Sequence, residues 1–319
     1  MDRTNLQAAL QSGKGKVRHN NEDAFYFNGK YASINTMDEE ASLFADSKEH
    51  RGLFAICDGM GGYDNGEVAA YTAVSNLPKL QQALLSEKFG VAITKWVTET
   101  NNIILHSVRG GGCTLALLYY SFGTIYIAHI GDSRVYRYHE GNLYRETKDH
   151  SKLQVLLDAG IITEKEAEAY PQKHVITRAL GMNEDENGRC LPSIRDSLKA
   201  VNGDTYILCS DGITDMLTDN QISCILQQND SVKNCAKAIF QAAMDSGGKD
   251  NATVIVVKVK EEDNDSKDHL EIDPYESTVA PERQSPAVIR VEQVITIEQS
   301  KEQTIIIKSQ ISNCISPNK

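Results

Sequence analysis

Leu53 to Cys57 is an unbroken run of apolar or small residues that stops at an acid, Asp58, and continues into Gly59-Met60-Gly61-Gly62. A short apolar run bounded by glycine predicts a buried strand with a carboxylate at its end. The pattern recurs. Thr205 to Asp215 reads TYILCSDGITD, another apolar strand running into Asp211-Gly212, and Lys249 to Val257 is the mirror case, with Asp250 just ahead of a strand. Upstream, Glu22–Phe27 and Lys30–Ile34 predict a hairpin around Asn28-Gly29, and residues 35–50 predict a polar surface loop. Gly66 to Leu77 predicts a helix stopped by Pro78. Ile93, Trp96, Val97, Ile103 and Ile104 fall on one face of a second helix over Ala92–Ile104, and the two helices are expected side by side.

The middle of the chain changes period. Thr114–Tyr120, Thr124–Ile130 and Arg134–Tyr138, with turns at Ser121–Gly123, Gly131–Ser133 and Glu140–Asn142, predict an antiparallel meander. Two short helices follow over His150–Ala159 and Thr163–Ala169, the second opened by a Thr163, Glu166 capping box. Residues 182–203 read as loop. Helices over Thr218–Gln227 and Ser231–Met244, the latter ended by Gly247-Gly248, lead to a last strand over Ala252–Val259.

Composition narrows the function classes. With 40% hydrophobic and 24% charged residues in 319, the chain is an ordinary globular one, and no apolar run approaches the length of a membrane span. The N-terminal residues show no export signal, so a cytoplasmic protein is expected, and a monomer is expected as well. A net charge of −11 argues against a nucleic-acid binder. Seven cysteines without CxxC spacing favour neither a disulfide framework nor a zinc site. Domain organisation follows from the composition shift: a domain over 1–260, an acidic linker over 261–287, and a β-prone segment over 288–319. A lone hairpin in that last segment would be marginal in water, so it docks, binds a partner or stays unfolded.

One Asp-Gly pair is ordinary turn chemistry. Two behind hydrophobic strands, joined by Asp250, form a different pattern, because three rigidly held carboxylates from distant parts of a chain suit a hard cation such as Mg²⁺ or Mn²⁺. Arg18 stands shortly ahead of the paired acids Glu22 and Asp23.

RHNNED (18–23), DGMGG (58–62), GDSR (131–134), SDGITD (210–215) and DNAT (250–253), in this order and framed by strands, resemble the PPM/PP2C family of metal-dependent protein serine/threonine phosphatases, and its bacterial branch in particular. The resemblance spans roughly residues 10–260. It implies an α+β fold, a central sandwich of two antiparallel β-sheets flanked by helices. It implies hydrolysis of phosphoserine and phosphothreonine by a metal-activated water at a centre of two Mn²⁺ or Mg²⁺ ions, with a weaker third. Carried over, Asp58 bridges the ions, the Gly59 carbonyl binds one, and Asp211 and Asp250 hold the other. Glu22 and Asp23 orient the site or its waters, Arg18 grips the phosphate, and Asp132 and Asp215 join Asp211 at the third site.

The implied partners are phosphorylated proteins opposing a serine/threonine kinase. Thr114, Ser133, Arg134 and Arg178 read as structural, as do His19, His129 and His150. The sequence departs from many eukaryotic members at Met60, where a proton-donating histidine stands in them, so no protein general acid is assigned and a metal-bound water is the expected proton donor. The alternative is a non-catalytic regulator or adaptor on the same fold; the intact set Asp58, Asp211 and Asp250 argues against it.

Overall fold

The computed structural model describes residues 4–61, 65–167, 170–172, 174–183 and 190–261. The acidic linker and β-prone segment expected beyond residue 261 lie outside the described residues. The first half of the chain forms β1 (Thr4–Gly13), β2 (Asp23–Phe27), β3 (Ala41–Ser47) and β4 (Arg51–Met60), then helices α1 (Gly66–Ala83) and α2 (Phe89–Ser107). Next come β5 (Gly112–Cys113), β6 (Leu115–Ser121), β7 (Thr124–Ile130), β8 (Arg134–His139) and β9 (Asn142–Arg145). Helices α3 (Lys152–Asp158) and α4 (Glu164–Ala167) precede β10 (Ser193–Lys199) and β11 (Thr205–Cys209). The last elements are α5 (Asp211–Thr214), α6 (Asp219–Gln228), α7 (Val232–Asp245) and β12 (Ala252–Glu261).

The strands pair into two antiparallel sheets, ordered β3-β1-β12-β11-β8-β9 and β10-β7-β6-β4-β2, with β5 added on β4. Strand alternation then sorts every core residue. Along β4, Phe54 and Ile56 meet Leu10, Leu118, Tyr206, Leu208 and Ile255 between the sheets, while Leu53, Ala55 and Cys57 turn outward to α1 and α2. On the other sheet, Ile207, Cys209, Val254 and Val256 pack outward on Ile222, Ala236 and Ile239 of α6 and α7. The result is helices, sheet, sheet, helices. Strands buried on both faces lose their alternation, which is why they read as continuous apolar runs, and each large side chain so buried contributes about 1.5–3 kcal/mol.

Several expectations are corrected. The second arm of the hairpin is absent: Lys30 makes an isolated bridge to Phe27, and the true partner of β2 is β4. The loop over 35–50 contains the strand β3, an edge strand whose alternate residues face solvent and so look polar. β10 likewise lies within the stretch read as loop, on the edge beside β7. The meander splits, since β7 belongs to one sheet and β8 to the other, and the Gly131–Ser133 turn crosses between them. α1 runs through Pro78 because its packed face (Ala69, Ala70, Ala73, Val74, Leu77 and Leu80) continues past the proline, which sits on the exposed face. β1, β9 and α5 have no counterpart in the sequence reading. The capping box holds: Thr163 N–H donates to Glu166 Oε2 at 2.8 Å and Glu166 N–H to Thr163 Oγ1 at 3.3 Å.

Candidate metal centre

The alternation that builds the inter-sheet core also places its acids. Asp58 keeps the parity of Phe54 and Ile56, and Asp23 that of Phe25 and Phe27, so both carboxylates fall at the end of the layer between the sheets, directly opposite each other in register. β11 ends one residue before Ser210, and Asp211 opens α5. Asp250 lies two residues ahead of β12, and Asp132 lies in the turn between the sheets. Five separate segments therefore deliver acids to one place.

Glycines after two of those acids permit the close approach. A Cβ on Gly212 would stand 1.9 Å from Asn251 O, and one on Gly59 would stand 2.3 Å from Gly66 O and 2.7 Å from Glu22 O. Backbone meets backbone at both points. Gly212→Ala is expected to push apart the segments carrying Asp211 and Asp250, costing about 1–3 kcal/mol in urea unfolding and lowering any metal-dependent activity. Gly90→Ala, which meets nothing within 4 Å at the start of α2, is the neutral control.

A polar frame holds the carboxylates. Asn251 Nδ2 donates to Lys14 O at 3.1 Å and Asn20 O at 2.8 Å, while its Oδ1 accepts from Glu22 N–H at 2.9 Å, stapling the Arg18 loop to the start of β12. Ser210 Oγ donates to Asp23 Oδ2 at 2.6 Å and accepts from Thr253 N–H at 3.0 Å. Asp58 N–H donates to Thr114 Oγ1 at 2.9 Å, and that hydroxyl bonds Ser133 Oγ at 2.7 Å. Thr114 and Ser133 are thus structural, in direct support of Asp58. Asn251 and Ser210 were missed as positioning residues although each adjoins an acid already singled out. Glu67, in the first turn of α1, was also missed; it faces Glu22.

Electrostatics express the crowding. Burial pushes Asp23 up to about 7 and Asp132 up to about 8, with Asp211 repelling both. Asp211 itself rises to about 6 through burial and the nearby charges of Asp215 and Asp250. Burial, then Asp211, Asp23, Asp132 and Asp250, hold Asp58 well above the usual carboxylate range. Glu22 is raised by burial and by Glu67. At the rim, Arg18 Nη2 donates to Asp250 Oδ2 at 2.7 Å with its side chain 48% exposed, and that bond raises the guanidinium's affinity for its proton.

The histidines divide. His150 Nδ1 accepts from Gly131 N–H at 3.1 Å, so its proton sits on Nε2, 2.9 Å from Ser193 Oγ; burial and the stacked His129 lower it to about 3. It is a neutral strut beneath the Asp132 turn. His174, which no sequence signal marked, has Nδ1 3.3 Å from Asp215 Oδ2.

The donor set fits a divalent metal. Its carboxylates are all hard oxygen ligands, they repel one another without a counter-charge, and the backbone frame keeps them converged. Among the described residues no helix is long and apolar enough to cross a membrane.

Comparison with known proteins agrees with this arrangement. The profile of the protein phosphatase 2C family matches residues 13–153. The serine/threonine protein phosphatase PstP of Mycobacterium tuberculosis is 33% identical over 264 residues, covering 81% of this chain and 46% of PstP, so the chain spans about half the length of that relative. The serine/threonine phosphatase Stp of Listeria welshimeri is 31% identical over 263 residues, covering 79% of this chain and 96% of Stp. The crystal structure of the PstP catalytic domain in complex with two manganese ions superposes with a TM-score of 0.65 at 32% identity, covering 81% of this chain and 100% of that one. The chain belongs to the protein phosphatase 2C family, whose matched relatives are serine/threonine protein phosphatases.

Proposed function

We propose that this chain hydrolyses phosphoserine and phosphothreonine in proteins, using Mn²⁺ or Mg²⁺ held by the acids at the end of the sandwich. The observation that carries the reading is the convergence of Asp58, Asp211 and Asp250 on the buried Asp23 and the half-buried Asp132, with an arginine at the open rim. On this reading Asp58, the Gly59 carbonyl, Asp211 and Asp250 would hold the ions. Glu22 and Asp23 would orient water there, and Asp132 and Asp215 would join Asp211 in a weaker site. When bound, such ions supply an acidified water as nucleophile and offset the charge on the phosphoryl oxygens. The partners are phosphorylated proteins, made by a serine/threonine kinase.

Arg18 is the substrate-binding side chain. One nitrogen, Nη2, is engaged by Asp250, and the remaining donors of the half-exposed guanidinium would be left to phosphate oxygens. No protein nucleophile is needed. Phosphopeptide release with Mn²⁺ or Mg²⁺, abolished by chelation and restored by metal, tests the reading; turnover that survives full chelation overturns it. Arg18→Ala is expected to raise KM about tenfold or more with a smaller loss in kcat, because the contact forms before and during transfer. Unchanged steady-state kinetics would remove Arg18 from the site.

A further inference from the structure

His174 reaches the acids from the stretch between α4 and β10. Lys152 N–H donates to Val175 O and Thr177 N–H to His150 O, each at 2.7 Å, so the backbone just after His174 runs antiparallel to the chain entering α3 and is anchored there. The ligand atoms of His174, Asp211 and Asp215 all lie within 4.8 Å of one another. Asp211 and Asp215 are brought onto one side by the single turn of α5, closed by Asp215 N–H to Asp211 O at 2.7 Å. The imidazole arrives from a different part of the fold, so the three groups meet only through tertiary structure.

We propose that His174, Asp211 and Asp215 form a cation site with an imidazole nitrogen as one ligand, and that this nitrogen makes the site select Mn²⁺ over Mg²⁺. The proposal rests on the phosphatase reading above, because Asp211 is shared with the centre described there. Sequence resemblance implied an oxygen-only third site of Asp132, Asp211 and Asp215; the imidazole changes its chemistry. Mg²⁺ holds tightly to oxygen ligands and its own waters, whereas a first-row transition ion accepts imidazole readily. With the His174 side chain 54% exposed and that of Asp215 26% exposed, water would complete the site, and its ion would exchange faster than any held nearer Asp58 and the buried Asp23. A simple ion pair between His174 and Asp215 would confer no preference between metals.

Mn²⁺ titrated into the full-length protein and followed by pulsed electron paramagnetic resonance tests this. The first, tight equivalents are expected to show oxygen ligands alone. A weaker equivalent should add the modulation of a directly bound ¹⁴N, which becomes that of ¹⁵N when the protein is made with ¹⁵N-histidine. His174→Ala should remove the modulation and weaken the last Mn²⁺ at least about tenfold, with weak Mg²⁺ binding changed less than about twofold; His19→Ala, at the other exposed histidine near the site, should leave both intact. A weak Mn²⁺ without nitrogen coupling, coupling that survives His174→Ala, or equal weakening of both metals overturns the proposal. Failure of the phosphatase reading looks different: no turnover of phosphopeptides with the tight sites filled, whatever the nitrogen signal shows.

Discussion

Asp211→Asn is expected to cut phosphopeptide turnover by at least about 100-fold while the chelated protein melts at the same temperature or higher. The two effects share one cause. Asp211 is pressed by the charges of Asp215 and Asp250 and faces Asp58, so an amide of the same shape relieves repulsion in the metal-free protein. The same change removes a ligand charge, and with it much of the stabilisation that bound metal supplies by mass action. Metal should therefore raise the melting temperature of the wild type far more than that of the variant. Asp250→Asn should behave alike in turnover, but it also frees Arg18, so its KM should rise as well. A residue that merely braced the fold would lower the melting temperature with and without metal. Retained turnover in Asp211→Asn would exclude Asp211 from the centre.

Stability of the chelated protein should fall as pH rises from about 6.5 to about 8, and metal should reverse the trend. Asp211, Asp23 and Asp132 hold their protons to about 6, 7 and 8 in the fold, against an ordinary value of 3.8, and burial with the neighbouring acids holds Asp58 well above that value too. Between those limits the folded chain binds more protons than the unfolded one, so linkage makes unfolding easier as pH rises. Their contribution is fully present below 3.8 and is lost as pH climbs through the folded values. His150 acts in the opposite sense: lowered from 6.5 to about 3, it favours the fold above 6.5 and disfavours it as pH falls. The two trends offset each other below 6.5, and above it only the carboxylates act. Bound metal needs the carboxylates ionised and releases their protons, so the melting-temperature gap between metal-loaded and chelated protein should widen across the same window. A gap independent of pH would mean that the crowded acids do not receive the metal.

How much of this was legible depends on which residues carried local information. β7 has the bounds that its sequence predicts and β11 starts where its apolar run does, because strands covered on both faces leave continuous apolar runs between turn residues. β3 and β10 were read as loop because an edge strand with one face in water leaves only a weak alternation. Pro78 was read as a stop because its local cost is plain in the sequence, whereas the packed face of α1 that overrides it becomes visible only against β4 and α2.

The sequence by itself determined the chemistry available. Acids at strand ends, glycines beside them and an arginine ahead of paired acids are short-range patterns, and each states what kind of group stands where on its own element. Tertiary structure decided which of those groups meet. Asp23 faces Asp58 through strand register, Asp211 nears Asp250 because Gly212 admits the Asn251 carbonyl, and Arg18 lies on Asp250 because Asn251 staples its loop. His174 joins Asp215 from a stretch with no pattern of its own. Contacts between residues far apart in the chain are set by how layers pack, and packing leaves no periodic trace in the residues that it brings together.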